Sequence, residues 1–319
     1  MKQAIINSLC WLATKGRLVL VVGLICGIAL PDLAQAMRPW LAEMVIVLLF
    51  IAAMRVGTKA AFSGLGHWKH LSALLVVYQT VLPLLLIGLF YLVGFSGPLA
   101  TALILMASAS SIFESANLTV LVGRDPAPAL RLLILGTAIM PLTVLPVFWL
   151  LPELNEAGTV LETAIRLLLV ITLTSVIAFA TRHWLLREPD AASLQALDGL
   201  SVLVMAIVVI GLMSAISPAL NQEPMSVVWA LILAFLANFG CQIIAWWCLR
   251  SWPNEAERPA LAIVAGNRNM GLFLTALPAS IIDPLLLFIG CYQVPMYLTP
   301  LLLGWLYKDK SKYPDSQTS

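Results

Sequence analysis

The chain has 319 residues, of which 61% are hydrophobic and only 11% are charged. Because a soluble domain carries about 25% charged residues, this composition excludes an ordinary water-soluble protein. The formal net charge of +2 carries no information about nucleic acid, and no nucleic-acid partner is expected.

The first sixteen residues precede the first long apolar stretch. They contain no clear small-residue cleavage site, which argues against a removed signal peptide. Ile5, Leu9 and Leu12 share one helical face. We therefore predict that residues 1–16 form an interfacial segment on the membrane surface, before the first span.

Ten apolar stretches follow, each about the 20 residues that a helix needs to cross a bilayer. They predict an all-α membrane protein whose main partner is the lipid bilayer. A short tail at 308–319 follows the last stretch. The predicted spans are 17–31, 37–55, 71–93, 98–123, 127–151, 161–183, 196–216, 226–249, 258–280 and 284–306.

The distribution of Lys and Arg predicts the orientation of these spans. Fifteen of the 18 basic residues fall in one set of alternate connecting segments, only Arg38 and Arg166 fall in the opposite set, and Arg268 lies within a span. By the positive-inside rule, both termini face the cytoplasm. We therefore predict a multi-pass protein of the plasma (inner) membrane with a cytoplasmic tail at 308–319.

The ten spans divide into two groups of five, and an odd number of spans gives the two groups opposite orientation. "ESANLTVLV" (114–122) aligns with "GNRNMGLFL" (266–274), which places Asn117 opposite Asn269. This pattern predicts inverted repeats at 17–152 and 153–307. Chance similarity between two apolar sequences is the alternative explanation.

Two charged residues lie far from the ends of their predicted spans. Glu114 is ten residues from Arg124, and Arg268 is ten residues from Arg258. At a rise of 1.5 Å per residue, each lies roughly 15 Å below the cytoplasmic surface. Since the hydrocarbon layer is about 30 Å thick, both are predicted near its middle.

The stretches around these charges predict broken helices. "ASASSIFESAN" (107–117) is rich in small and hydroxylated residues, and "AGNRNMG" (265–271) has flanking glycines. Broken helices in a membrane must face protein or a cavity, where their free backbone groups can bind substrates. The predicted substrate-binding residues are Glu114, Ser115, Asn117, Asn267, Arg268, Asn269 and Gln79.

Structural alternatives exist for several of these residues. Glu114 and Arg268 could form an ion pair that only locks two helices together, although polar residues inside a membrane are functional by default. Gln79, Asn238 and Gln242 are also typical of interhelical hydrogen bonding.

With these motifs, the chain resembles the bile acid:sodium symporter family over almost its whole length. The resemblance is clearest at "ESANLTVLVGRDPAPAL" (114–130), and recurs at "RNMGL" (268–272) and "QTVLP" (79–83). It implies a panel domain of spans one, two, six and seven, and a core domain of the other six. It also implies that spans four and nine cross at their breaks, beside an organic anion that usually enters with sodium.

This chain departs from the family at the implied sodium ligands. The acidic residue of the ninth span falls on Val264, and the Gln that follows it falls on Arg268. The hydroxyl ligands fall on Ala116 and near Ala129 and Leu133. Because a hard cation prefers oxygen ligands, and a guanidinium offers only donors, sodium coupling is doubtful.

The sequence therefore predicts a secondary transporter of a small or amphipathic organic anion, independent of sodium, with Arg268 in place of a cation. A sodium symporter with rearranged ligands and a non-transporting membrane sensor are the alternatives. No G-x-S-x-G or H-E-x-x-H motif indicates an enzyme. The five cysteines show no metal-type spacing, and no cofactor or metal site is expected.

Overall fold

The protein is helical throughout the residues that the computed structural model describes, which are 2–63, 68–154, 157–186 and 189–307. In this part of the chain, the single β-type pairing is an isolated antiparallel bridge between Ser111 and Arg268. The predicted tail at 308–319 lies outside the described residues. The helices are α1 (Lys2–Thr14), α2 (Gly16–Ala29), α3 (Pro31–Met37), α4 (Leu41–Ser63), α5 (Trp68–Val76), α6 (Leu82–Val93), α7 (Pro98–Ser108), α8 (Glu114–Leu121), α9 (Ala127–Thr143), α10 (Leu145–Leu150), α11 (Ala157–Leu185), α12 (Ala191–Leu212), α13 (Ile216–Gln222), α14 (Pro224–Cys248), α15 (Arg258–Gly266), α16 (Gly271–Leu274), α17 (Ala279–Ile282), α18 (Leu286–Leu302) and α19 (Gly304–Tyr307).

Six continuous helical stretches of the described chain are long and apolar enough to cross a bilayer. A seventh candidate is the pair α1 and α2, which bend by 82° relative to each other. The protein is therefore a multi-pass, all-α membrane protein. The predicted fourth, fifth and ninth spans correspond to shorter helices, so the count of ten stays a prediction. The six stretches are Pro31–Gly57, Lys69–Val93, Gly158–Leu185, Ala191–Gln222, Pro224–Ser251 and Ala279–Leu302.

Local sequence explains where several helices begin. Proline stands in the first turn of α3, α7, α14 and α15. Backbone amides of the first turn have no carbonyl partner within the helix, so the absence of an N–H group in proline costs no helical hydrogen bond there. The carboxylate of Asp190 accepts a 2.9 Å hydrogen bond from the Ser193 amide and so caps the start of α12.

Helix α1 packs along the first half of α12. A Cβ atom added at Gly199 would lie 1.9 Å from the Leu9 carbonyl oxygen, so only glycine permits this close approach. The Cys10 thiol also points to the Ala192 carbonyl, at 3.5 Å. Helix α1, which covers residues 2–14 of the predicted interfacial segment at 1–16, is therefore held against the helix bundle. Its place at the membrane surface stays a prediction.

The helices differ strongly in how much of their surface is covered. Every residue of α15 from Pro259 to Gly266 is buried, and α7 is buried from Ala100 to Ser108. In contrast, α6 and α11 expose large apolar side chains, such as Leu92 at 82% and Ile177 at 57%. Since exposed apolar side chains suit lipid, α7 and α15 form the interior of the bundle and α6 and α11 its outer face.

Both buried helices are interrupted. Helix α7 ends at Ser108 and α8 begins at Glu114, which leaves a first break at 109–113. Helix α15 ends at Gly266 and α16 begins at Gly271, which leaves a second break at 267–270. These breaks fall within the two stretches where the sequence predicts them.

Candidate functional site

The two breaks lie against each other and are joined by backbone hydrogen bonds. The Asn269 amide donates to the Ser110 carbonyl at 2.8 Å, and the Ile112 amide donates to the Asn267 carbonyl at 3.1 Å. Backbone groups that the helices cannot satisfy are thus paired across the two breaks. This pairing satisfies the strongest constraint on irregular backbone inside a membrane.

The guanidinium of Arg268 is enclosed beside this pairing. Its Nε donates to the Ala265 carbonyl at 2.9 Å, and one terminal nitrogen donates to the Ala109 carbonyl at 3.1 Å. The guanidinium carbon lies 4.8 Å from the centre of the Tyr78 ring. The residue is only 1% exposed, and its Nη2 has no hydrogen-bond partner among the described residues.

The two carbonyls that hold Arg268 belong to helix ends. Ala109 is the C-terminal cap of α7, and Ala265 lies in the last turn of α15. The C-terminal end of a helix carries a partial negative charge from its unpaired carbonyls. The guanidinium is therefore stabilised by the facing negative ends of two half-helices.

An ion pair between Glu114 and Arg268 was one hypothesis from the sequence, and the described structure does not contain it. Both residues have the expected place beside the breaks. However, the Arg268 side chain turns back toward Ala265, whereas Glu114 borders two cavities. Residue counting gives the depth of a side chain in the membrane but not the direction in which it points.

Two cavities meet at Glu114. The inner cavity, of about 70 Å³, lies between α4 and α12 on one side and the two breaks, α9 and α18 on the other. The mouth cavity, of about 490 Å³, lies between α8 and α18 and the junction of α1 and α2, with α12 beside it. Phe113, Glu114 and Ser201 border both cavities, so the two spaces adjoin.

Three predicted site residues have exposed surface in these cavities. Glu114 borders both cavities and is partly exposed. Asn117 borders the mouth cavity and is exposed, and Asn269 borders the inner cavity and is partly exposed. Arg268 also borders the inner cavity but offers it almost no surface.

The other three predicted site residues border neither cavity. Gln79 is fully buried; its amide donates to the Gly136 carbonyl at 3.1 Å, and its side-chain oxygen accepts from the Thr143 hydroxyl at 2.9 Å. The Ser115 hydroxyl points to the Asn267 carbonyl at 3.4 Å, and both residues are buried. These three residues hold helices together in this structure.

A buried network of polar side chains forms hydrogen bonds to the end of α15, at the second break. Asn238 of α14 donates to the Gly266 carbonyl, and Gln242 donates to the Asn238 side chain at 2.6 Å. The Tyr307 hydroxyl in turn donates to Gln242 at 3.0 Å. The prediction that Asn238 and Gln242 form interhelical hydrogen bonds is confirmed. A Cβ atom at Gly266 would lie 2.0 Å from the Asn238 carbonyl oxygen, which explains the glycine there.

Three further polar residues that border the cavities were not singled out from the sequence, namely Gln293, Tyr297 and Thr137. Gln293 borders the inner cavity, and its side-chain oxygen accepts a 3.2 Å hydrogen bond from Tyr297, which borders the mouth cavity. Thr137 borders the inner cavity and donates to the Ser110 hydroxyl at 3.2 Å. A polar pair four residues apart in the apolar stretch "YQVPMYLTP" (292–300) was the available signal.

Within the described residues, no group of three or more His, Cys, Asp or Glu side chains comes together as a metal site. Comparison with known proteins adds no further assignment. No protein-family model matches the chain, and no curated protein is significantly similar to it.

Proposed function

We propose that this protein is a secondary transporter of organic anions, such as carboxylates, sulfonates and bile-acid-like molecules. In this proposal the chain has ten spans in two inverted repeats, 17–152 and 153–307, as the resemblance to the bile acid:sodium symporter family implies. It lies in the plasma (inner) membrane with both termini in the cytoplasm. The panel and core domains move against each other to expose the cavity alternately to each side.

The enclosed guanidinium of Arg268 is the observation that carries this proposal. It lies between the carbonyl ends of two half-helices, a place where a cation is electrostatically stabilised. The residue that would supply a carboxylate to sodium, according to the resemblance, is Val264, which is fully buried among apolar side chains. Arg268 thus supplies permanently the positive charge that sodium brings to related transporters, so transport does not require sodium.

The position of the inner cavity supports transport. The cavity is bounded by α4 and α12, which belong to the proposed panel, and by the breaks, α9 and α18, which belong to the proposed core. A substrate at this boundary contacts both bodies and responds to their relative movement. Binding at the interface of two repeats is the usual arrangement in secondary transporters.

The surroundings of the inner cavity suit an anion with an apolar body. An adjoining groove of about 450 Å³ between α4, α9 and α11 shares Leu49, Ala52, Leu133 and Thr137 with the inner cavity, and is lined mainly by apolar side chains. Asn117 and Asn269 offer amide donors to a carboxylate or sulfonate. The Arg268 charge acts on the anion across low-dielectric protein, where Coulomb attraction is weakly screened.

Thermal unfolding of the purified protein tests this proposal. The probes are pyruvate, benzoate, benzenesulfonate and taurocholate, each supplied as its sodium salt and as its choline salt, with benzamide as an uncharged control. We expect at least one anion to raise the melting temperature equally in both salts. At one hundred times its dissociation constant, a ligand adds about 2.7 kcal/mol of stability.

Each other outcome identifies one of the alternatives. Stabilisation that needs sodium would indicate a sodium symporter with rearranged ligands. Stabilisation without uptake of the radiolabelled anion into proteoliposomes would indicate a membrane sensor. If no anion stabilises the protein more than benzamide does, the anion site is wrong.

Cysteine labelling tests the orientation. In a variant that lacks the native cysteines, Glu223→Cys lies in a predicted external loop and Asp190→Cys in a predicted cytoplasmic loop. We expect a membrane-impermeant maleimide to label only Glu223→Cys in intact cells. Equal labelling at both positions, or labelling of Asp190→Cys alone, would contradict the orientation.

A further inference from the structure

Glu114 is an ionisable residue that the proposed role of Arg268 leaves unused. It opens helix α8 directly after the first break. It is the one ionisable side chain of the described residues that borders both the inner and the mouth cavity. Among the described residues, Glu114 forms no ion pair and no side-chain hydrogen bond with another residue. Such a carboxyl group can exchange a proton with water in either cavity.

None of the described groups that face Glu114 forms an ion pair with it. The cavity-facing surface of α4 is apolar, and α9 contributes Leu133 and Thr137. On α18 the facing polar groups are Gln293 and Tyr297, which bond to each other. The second break contributes Arg268, whose guanidinium is enclosed by carbonyl groups.

Two other charged residues of the described chain border the mouth cavity. One is in an ion pair with another residue, and the other lies at the rim of the cavity. Asp198 of α12 is paired with Arg55 of α4 at 2.8 Å. Lys15 lies at the junction of α1 and α2 and is exposed. No cation of the described residues forms an ion pair with Glu114, and its local electrostatic support is the positive end of α8, at whose first residue it stands.

A fixed guanidinium cannot couple transport to an ion gradient. Coupling requires an ion that binds on one side of the membrane and leaves on the other. An arginine keeps its proton under all physiological conditions, and Arg268 is tied to the chain. If Arg268 replaces a transported cation, any coupling must come from another group that gains and loses charge.

The charge of Glu114 also determines when an anion can enter. An anionic substrate in the inner cavity and an ionised Glu114 repel each other strongly, because both lie in a poorly screened space. A protonated carboxyl group removes this repulsion and adds a hydrogen-bond donor. Proton binding and anion binding therefore favour each other, and by thermodynamic linkage the effect is reciprocal.

We propose that Glu114 is the proton site of a proton–anion symporter. A proton from water on the open side binds a carboxylate oxygen of Glu114, and the anion then binds beside it. After the protein opens to the other side, the anion leaves and Glu114 returns the proton to water there. This inference rests on the proposed anion transport and adds its driving ion.

The affinity of a permanently charged anion measures this linkage directly. Benzenesulfonate does not titrate, so any pH dependence of its binding belongs to the protein. We expect its affinity to be highest at low pH and to fall as pH rises from 5 to 8. The limiting slope for one linked proton is about tenfold per pH unit.

Proton movement is measured in proteoliposomes that contain the pH-sensitive dye pyranine. An inward gradient of benzenesulfonate should acidify the lumen when wild-type protein is present. In Glu114→Gln, we expect binding that no longer depends on pH, and uptake of labelled benzenesulfonate without acidification. Glu114→Asp should restore the pH dependence, and Glu223→Gln, which changes a carboxylate in a surface loop, should behave as wild type.

The possible failures are distinguishable. If wild-type protein takes up benzenesulfonate with no pH dependence and no acidification, the coupling is wrong while anion transport stands. If Glu114→Gln retains both effects, Glu114 is not the proton site. If benzenesulfonate neither binds nor enters at any pH, both the anion site and its coupling are wrong.

Discussion

Arg268 and Glu114 both lie beside the breaks of the helices, but they differ in how much of their surface is exposed and in how they are bonded. Arg268 is 1% exposed and is held by two carbonyls and an aromatic ring. Glu114 is partly exposed, borders two cavities and has no ion-pair partner among the described residues. The comparison separates an enclosed charge that is tied to backbone carbonyls from an unpaired carboxyl group that borders two cavities. In the proposed proton–anion symporter, the first charge is permanent and the second gains and loses a proton.

Removing the fixed charge should produce the largest effect. Arg268→Ala leaves the Ala109 and Ala265 carbonyls without donors and opens a void beneath Tyr78. We expect a loss of roughly 3–5 kcal/mol in stability, from unpaired buried groups and lost packing. Thermal unfolding in detergent measures it.

Arg250→Ala is the matched control for that loss. Arg250 is exposed and stacks 3.4 Å from the centre of the Trp247 ring, an interaction worth about 0.5–1 kcal/mol at the surface. Equal destabilisation by the two substitutions would mean that the Arg268 guanidinium stabilises nothing at the breaks.

Two asparagines test whether a buried residue and a cavity residue contribute differently to stability and to anion affinity. Asn238→Ala removes the donor to the Gly266 carbonyl, so we expect a stability loss of about 1–3 kcal/mol with unchanged anion affinity. Asn269→Ala changes a side chain of the inner cavity, so we expect anion affinity to weaken by about 0.5–1.5 kcal/mol. Binding and unfolding are measured for both variants. If Asn238→Ala weakened anion affinity and Asn269→Ala lowered only stability, the placement of Asn269 in the anion site would be wrong.

Sodium should have the smallest effect on the wild-type protein. We expect the dissociation constant of an anion to agree within about twofold between sodium and choline buffers of equal ionic strength, which is about 0.4 kcal/mol. The double substitution Val264→Glu with Arg268→Gln introduces the ligand types that the resemblance to the bile acid:sodium symporter family implies, and should create sodium dependence. A loss of about tenfold in wild-type affinity without sodium, or 1.4 kcal/mol, would show that a cation site persists.

The sequence predicts the helical membrane class and the places of the breaks, because composition and small-residue clusters act locally. Six of the ten predicted apolar stretches appear as continuous helical stretches of the described chain, and "AGNRNMG" (265–271) contains the second break. Interhelical bonding by Asn238 and Gln242 was also predictable, since a buried amide in an apolar helix must find a partner.

The direction of the side chains was not predictable from the sequence. Equal depth made an ion pair between Glu114 and Arg268 reasonable, yet Arg268 bonds to carbonyls of its own helix end and of α7. Gln79, Ser115 and Asn267 likewise face the interior of the bundle. Such choices depend on which carbonyls the folded chain leaves unpaired, and a one-dimensional pattern does not contain this information.

The hydrogen bonds that join the two breaks have a consequence for how this site can evolve. Both bonds, from Asn269 to Ser110 and from Ile112 to Asn267, are made by main-chain atoms. Main-chain bonds survive when side chains are exchanged. In the proposed transporter, successive substitutions can therefore replace ion ligands by an arginine, or one substrate contact by another, while the two half-helices stay in register. The specificity of the site can drift without dismantling its scaffold.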